Sequence, residues 1–202
     1  MEERKYILTD ETKEFNGRTL YRIKAAKDFG HVKKGDLGGW VESENNLSQK
    51  NDCWIFEDAK VYGKAKVRDK SIVHENAKVF GNAALNDMVD VYGDARIYGK
   101  TWLYGDVIIR DDAEVFGFAD VFGLAYICGN AKIKSNKDYA VYKNTWSSGC
   151  YFTWTRSNNM WKVGCFYGNG EELITKAYEK SEKTGKCYAA IVNVNRLISN
   201  ID

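Results

Sequence analysis

The sequence predicts a mainly β chain wound as a solenoid, and three observations predict it. Counted in sixes from Cys53, the first position of every hexad through Ala131 is small, and the third, from Ile55 through Ile133, is Val, Ile or Leu. The fifth position is glycine eight times and otherwise Asp, Glu or Ser. The register runs through fourteen hexads, Cys53 to Asn136, without an insertion. In an extended chain positions one and three point to the same side, so that side is the core, and positions two and four face outward. Glycine or a carboxylate at position five turns a corner that needs an unusual backbone angle. Such short strands cannot bury their apolar side alone, but stacked as coils they enclose a continuous core. A sheet of hairpins would not hold one register over fourteen turns.

Residues 1–52 read as an N-terminal cap and lead-in coil. KYILTD from Lys5, a turn near Asn16-Gly17 and RTLYRIKAA from Arg18 predict a β-hairpin. Gly35–Trp40 leads into the first coil, with Trp40 expected over the open core. Residues 53–136 are the solenoid, whose two ends expose strand edges that the flanking segments are expected to cover. Residues 137–202 read as a small α+β module. Alternating aromatic stretches predict about three strands, with turns at Ser147–Gly149 and Ser157–Asn159. Gly168–Glu171 opens a helix to about Ser181, capped by Asn169 or Gly170. A second helix covers about Thr184–Ser199, with Tyr188, Ile191, Val192 and Ile198 on its apolar stripe. A unit this small is expected to dock on the prism.

The small-x-aliphatic-x-Gly-x hexad resembles the hexapeptide-repeat, left-handed β-helix proteins over Cys53–Asn136, with weaker continuity through Val41–Asp52. The run Ala-Lys-Val-Tyr-Gly-Lys at 59–64 is similar to the YdcK-like β-helix proteins. The lead-in GDLGGWVESENNLSQ at 35–49 and the string beginning WSSGCYFTWTRS at Trp146 are similar to phage and prophage hexapeptide-repeat proteins, mostly of unassigned function. The resemblance implies a single-stranded left-handed β-helix of triangular coils, three hexads each, and a parallel trimer. The handedness comes from the resemblance alone, since the crossover rule favours the opposite hand. An 18-residue period gives a prism roughly 22 Å long at ~4.8 Å per coil.

Composition excludes several classes. Thirty Lys and Arg against 28 Asp and Glu leave a net charge of +2, neither polybasic nor acidic overall. No run of apolar residues is long enough to span a membrane, and MEERKYILTD lacks the apolar stretch of a secretion signal. Five cysteines, odd in number and irregular in spacing, predict reduced thiols in the cytoplasm, of the host cell if the protein is phage-encoded. The family resemblance raises acyl transfer, which in those proteins uses a histidine base between subunits and an extruded loop. Here there are two histidines, His31 and His74, and no loop interrupts the hexads. Two histidines fall short of the three that a carbonic-anhydrase-type metal site requires, and Cys150, Cys165 and Cys187 form no CxxC pair. Asp69 and Asp87, one coil apart, read as solvated corner residues. GNGEEL lacks the lysine of a phosphate loop and reads as a helix start. No metal and no cofactor are expected.

The outward positions carry the functional expectation. Residues 18 apart stack, so Tyr62, Phe80, Tyr98 and Phe116 form one column beside Lys60, Lys78, Arg96, Glu114 and Lys132. A second face carries Trp54, Ile72, Asp90, Ile108 and Tyr126 beside Phe56, His74, Tyr92, Arg110 and Cys128. A third begins polar, with Lys66, Arg68 and Asn86, and ends in Trp102, Tyr104 and Phe122. Contiguous apolar stripes are not normally left in water, so another subunit, the terminal module or a partner is expected to cover them. A homo-oligomer is expected, a trimer favoured. The candidate binding residues are Lys60, Tyr62, Lys78, Phe80, Arg96, Tyr98 and Phe116, since rings flanked by Lys and Arg stack bases and hold phosphates. To these the module adds Trp146, Trp154, Arg156 and Trp161, a composition that suits either a protein interface or the module's own core. The expected function is a non-enzymatic, phage-type scaffold that binds, blocks or sequesters a host macromolecule (protein or nucleic acid) or a nucleotide, including as an inhibitor of host defence. The alternative is a hexapeptide-repeat acyltransferase acting on a small molecule.

Overall fold

The computed structural model describes residues 3–146 and 149–199. Each of the fourteen hexads contributes one short strand, from Trp54–Ile55 to Lys132–Ile133, centred on positions two and three. The strands stack in three parallel sheets, and partners lie 18 residues apart, as in Val61 with Val79, Val73 with Val91 and Leu103 with Val121. Three hexads therefore close one coil, and the chain is a β-solenoid. All fourteen first-position residues are at most 1% exposed and all fourteen third-position aliphatics are 0% exposed. The inward alternation read from the pleat is thus the core itself.

The corners show why position five is glycine or acidic. Thirteen of these fourteen residues have positive φ, between 54° and 93°. Glycine takes that conformation without a steric penalty, whereas another residue spends about 1–2 kcal/mol on it. Each of the five carboxylate corners offsets that cost by accepting a backbone N–H from the next coil: Glu57 from Glu75, Asp69 from Asp87, Glu75 from Gly93, Asp87 from Gly105 and Asp111 from Gly129, at 2.7–3.1 Å. Asp69 and Asp87 are therefore engaged in holding coils together. The exception is Ser135, which is extended and starts a 3-10 turn at Asn136–Asp138.

At the N-terminal end β1 (Tyr6–Phe15) and β2 (Arg18–Ala25) form the expected hairpin, with Asn16 and Gly17 both at positive φ in its two-residue turn. Strand β3 (Leu37–Val41) pairs antiparallel with β2 and parallel with Lys60–Val61, so the hairpin prolongs one face of the prism. Trp40 does not lie over the core. Its partner Lys60 occupies an outward position, so Trp40 packs outside the prism with Leu20 and Tyr62. Trp54, likewise at an outward position, joins the buried cluster of the first coil instead, and Tyr6 and Phe29 pack on it edge-on at 6.1 and 5.3 Å.

The C-terminal module holds four antiparallel strands, Tyr139–Lys143, Tyr151–Thr155, Met160–Val163 and Phe166–Gly168, one more than the sequence reading gave. The extra strand arises because Gly164, at positive φ, turns the MWKVGCFYG stretch back on itself. Of the turn expected at 147–149, Ser147 and Ser148 lie outside the described residues. Helix α1 (Gly170–Lys180) begins at Asn169, whose side chain accepts from the N–H groups of Glu171 and Glu172, while the Glu172 carboxylate accepts from the Asn169 N–H. Helix α2 (Glu182–Ser199) buries Tyr188 and Val192 as read. Ile198 is exposed, however, and the buried place near it belongs to Asn195, which accepts a hydrogen bond from the Tyr142 hydroxyl at 2.9 Å.

The module sits against the last coil. In the final strand of every face, main-chain N–H groups meet side chains of residues 136–157: Asp120 donates to Asn136 Oδ1, Phe122 to the Tyr139 hydroxyl, Tyr126 to Thr153 Oγ1 and Lys132 to Ser157 Oγ. Among the described residues no helix is long and apolar enough to cross a membrane. All five cysteines are free thiols.

Candidate functional site

The repeat stacks the outward rings as the 18-residue columns require. Tyr62, Phe80, Tyr98 and Phe116 are parallel within 11°, with centroids 4.9–5.3 Å apart. The first half of this column is roofed by the hairpin. Phe15 packs edge-on against Tyr62 at 5.7 Å, Arg18 lies over the same ring, and Tyr62 is 6% exposed. Beneath the hairpin Lys60 is buried and its ammonium donates to Asp58 Oδ2 at 2.6 Å. Asp58 is a hub, because Lys13 of β1 and the Trp40 indole N–H also donate to it. Partial burial pushes its pKa up, but hydrogen bonds from Lys13 and Lys60 outweigh this and hold the carboxyl at about 2.

Farther along the column Lys78, Phe80, Tyr98 and Phe116 are half-buried and Arg96 is exposed. Tyr98 donates its hydroxyl to Glu114 at 2.9 Å. Of the module's candidates, Trp154 and Arg156 line a small cleft with Tyr139, Tyr142 and Asn195. Trp154 and Trp161 are buried in its core, the Trp154 N–H donates to Asn159, and Trp161 stacks on Tyr142. Trp146 packs against Phe152 and Tyr188, and Arg156 donates from Nε to the Lys137 carbonyl.

A bare apolar patch lies on the third face. Trp102, Tyr104 and Phe122 are 56%, 40% and 46% exposed, and the last two stack at 5.4 Å. Corner residues widen the patch, with Phe118 on one side and Met88 and Leu124 on the other, all exposed. Asn86 and Asp120 share a shallow depression with Trp102 and Tyr104. The sequence carried a signal for this extension that the reading above did not use. The sixth hexad position is Asp, Asn or Lys everywhere except at Met88, Phe118 and Leu124, which all flank this face.

One polar pair was also missed. His74 Nε2 lies 3.1 Å from Asp90 Oδ1, and the imidazole stacks on Tyr92 at 4.7 Å. The two residues are 16 apart, so they stand in adjacent columns of neighbouring coils. The hydrogen bond with Asp90 raises the pKa of His74, burial opposes it, and the charges of Asp90 and Glu75 add to the rise. Among the described residues no His, Cys, Asp and Glu gather in a metal-binding group.

Comparison with known proteins adds one relative. Over 73 residues the chain is 34% identical to a protein of Escherichia coli (strain K12) named "Uncharacterized acetyltransferase YdcK", a match covering 32% of this chain and 22% of that protein. No protein-family description matches the chain. The similarity to a hexapeptide-repeat protein is weak, and it accords with the solenoid fold.

Proposed function

We propose that this protein is a non-enzymatic scaffold that binds a host macromolecule, a protein in the first instance, through the third face of its solenoid. The observation that carries the reading is the contiguous bare patch of Trp102, Tyr104 and Phe122 with Phe118, Met88 and Leu124 at its rims. Rings held by a rigid ladder lose little entropy on binding, and aromatic patches of this kind anchor protein interfaces. Lys60 and Tyr62 lie under the hairpin, which favours a protein over a nucleotide as partner. That the partner is a host component, blocked in the cytoplasm, rests on the resemblance to phage proteins. The test is capture from host lysate by the wild type and by Trp102→Ser/Phe122→Ser, with light scattering on both. A protein held by the first and lost by the second, with oligomer size unchanged, supports the reading. An oligomer that the double variant dissociates would make the face a subunit contact instead, as the trimer implied by the resemblance would have it.

A second reading is acyl transfer to a small molecule. The name of the relative, an uncharacterized acetyltransferase, and the His74–Asp90 pair favour it. In this reading His74 removes the acceptor's proton while Asp90 orients the ring. A raised pKa works against that role at neutral pH, because it keeps more of the ring protonated. Turnover of an acyl thioester that disappears in His74→Ala would place this reading first.

A further inference from the structure

Neither reading uses the polar pair beneath the N-terminal cap. Lys5 is 1% exposed and Cys53, the first residue of the first hexad, is 0% exposed. Lys5 Nζ lies 3.2 Å from Cys53 Sγ. The same nitrogen is held by the carbonyls of Cys53 at 2.8 Å, Asn51 at 3.3 Å and Lys50 at 3.4 Å. The Lys5 main-chain N–H donates to Gln49 Oε1, which fixes the start of the strand, and the thiol stands on the solenoid. Amine and thiol are therefore locked face to face. Packing asks only for a small residue at position 53, since alanine fills nine of the fourteen equivalent positions. A long cationic side chain buried beside a thiol is a costly way to fill that space. Burial lowers the pKa of Lys5 and raises that of Cys53, so both lean toward their neutral forms. Lys50 and Asn51, whose carbonyls hold the amine, and Asp52 are exposed.

We propose that Lys5 and Cys53 are a covalent modification site, joined under peroxide by one bridging oxygen as Nζ–O–Sγ. In the first step the thiol is oxidised, RSH + H2O2 → RSOH + H2O. In the second, the sulfenic acid couples to the adjacent amine, RSOH + R′NH2 + H2O2 → RS–O–NHR′ + 2 H2O. The N–O bond forms, one N–H and the O–H are lost, and the electron pair reduces the second peroxide to water. Excess dithiol reverses the bridge to thiol, amine and water. The bridge pins the hairpin to the first coil across a separation of 48 residues. Like a disulfide, it restricts the unfolded chain, and it raises Tm by roughly 5–10 °C.

The test treats the wild-type protein with hydrogen peroxide, digests it with trypsin without reductant and maps the peptides by mass. The expected species joins residues 5–13 to residues 51–60 and is about 14 Da heavier than the two peptides together, one oxygen gained and two hydrogens lost. It vanishes on treatment with dithiothreitol and is absent from Lys5→Arg and Cys53→Ala. Exposed Cys165 reports that the oxidant has acted. Full oxidation of Cys165 with Cys53 recovered only in unjoined peptides, as thiol, sulfinic or sulfonic acid, overturns the proposal.

Discussion

The columns Tyr62–Phe80–Tyr98–Phe116 and Tyr104–Phe122 obey one rule and meet different fates. Both stack rings one coil apart, parallel within 11°. The first disappears at its N-terminal end beneath Phe15, Leu20 and Trp40, whereas the second stays open to solvent. The repeat therefore decides that rings stack, and the non-repeating flanks decide which stack remains a surface. For a protein of this architecture, the free face is found by subtraction once the caps are placed.

The sharpest contrast is between inside and outside positions of the same strand. Val91→Asp places an unpaired carboxylate in the core, at a cost of several kcal/mol, and is expected to abolish the cooperative thermal transition. Next comes the column contrast. Tyr62→Ala is expected to cost about 3 kcal/mol in urea unfolding, and Tyr104→Ala less than about 1 kcal/mol, because the first ring is buried and the second is not. Equal losses would show that the third face is covered in solution.

A smaller difference separates two corners. A Cβ at Gly99 would lie 2.8 Å from the Gly117 backbone nitrogen, whereas one at Gly123 meets nothing within 4 Å. Gly99→Ala is expected to cost about 2–3 kcal/mol, and Gly123→Ala only the ~1 kcal/mol of its positive φ. Equal melting temperatures for the two variants would contradict the close stacking of that corner.

The smallest effect is in pH. The Asp58 carboxyl is held at about 2 against an ordinary 3.8. Its contribution to stability is complete above 3.8 and is lost as pH falls through the folded value. Asp58 is nearly half exposed, so solvent screening limits the effect to at most ~1 kcal/mol. Asp58→Asn should flatten the wild-type loss of stability between pH 4 and 2, as followed by urea midpoints across that range.

The solenoid was legible because each hexad position has one environment that depends only on its neighbours one coil away. Small residues at 53, 59 and onward and aliphatics at 55, 61 and onward sufficed for the strands, the period and the core. The caps were less legible because contacts between distant segments set them. Trp40 and Trp54 are both aromatic and near the entry, and only the pairing of the hairpin and β3 on the first coil decides that Trp40 packs with Leu20 and Tyr62 and Trp54 with Tyr6. The candidate site divided in the same way. The stacks were readable from spacing, but the burial of Lys60 and Tyr62 required the hairpin. The approach of His74 to Asp90 required the offset between neighbouring columns, which a search for local motifs passes over.

The contacts on the last coil carry a consequence for length. A parallel ladder has no intrinsic reason to stop, since each rung presents the same row of main-chain donors to whatever comes next. Here Asn136, Tyr139, Thr153 and Ser157 take up donors in the final strands with side-chain oxygens. A side-chain oxygen accepts a hydrogen bond without laying down another rung. The C-terminal module thus acts as a chain terminator. A chain shortened to Asn136 would leave donors of the last coil open to pairing with another strand edge, at that one end of the prism.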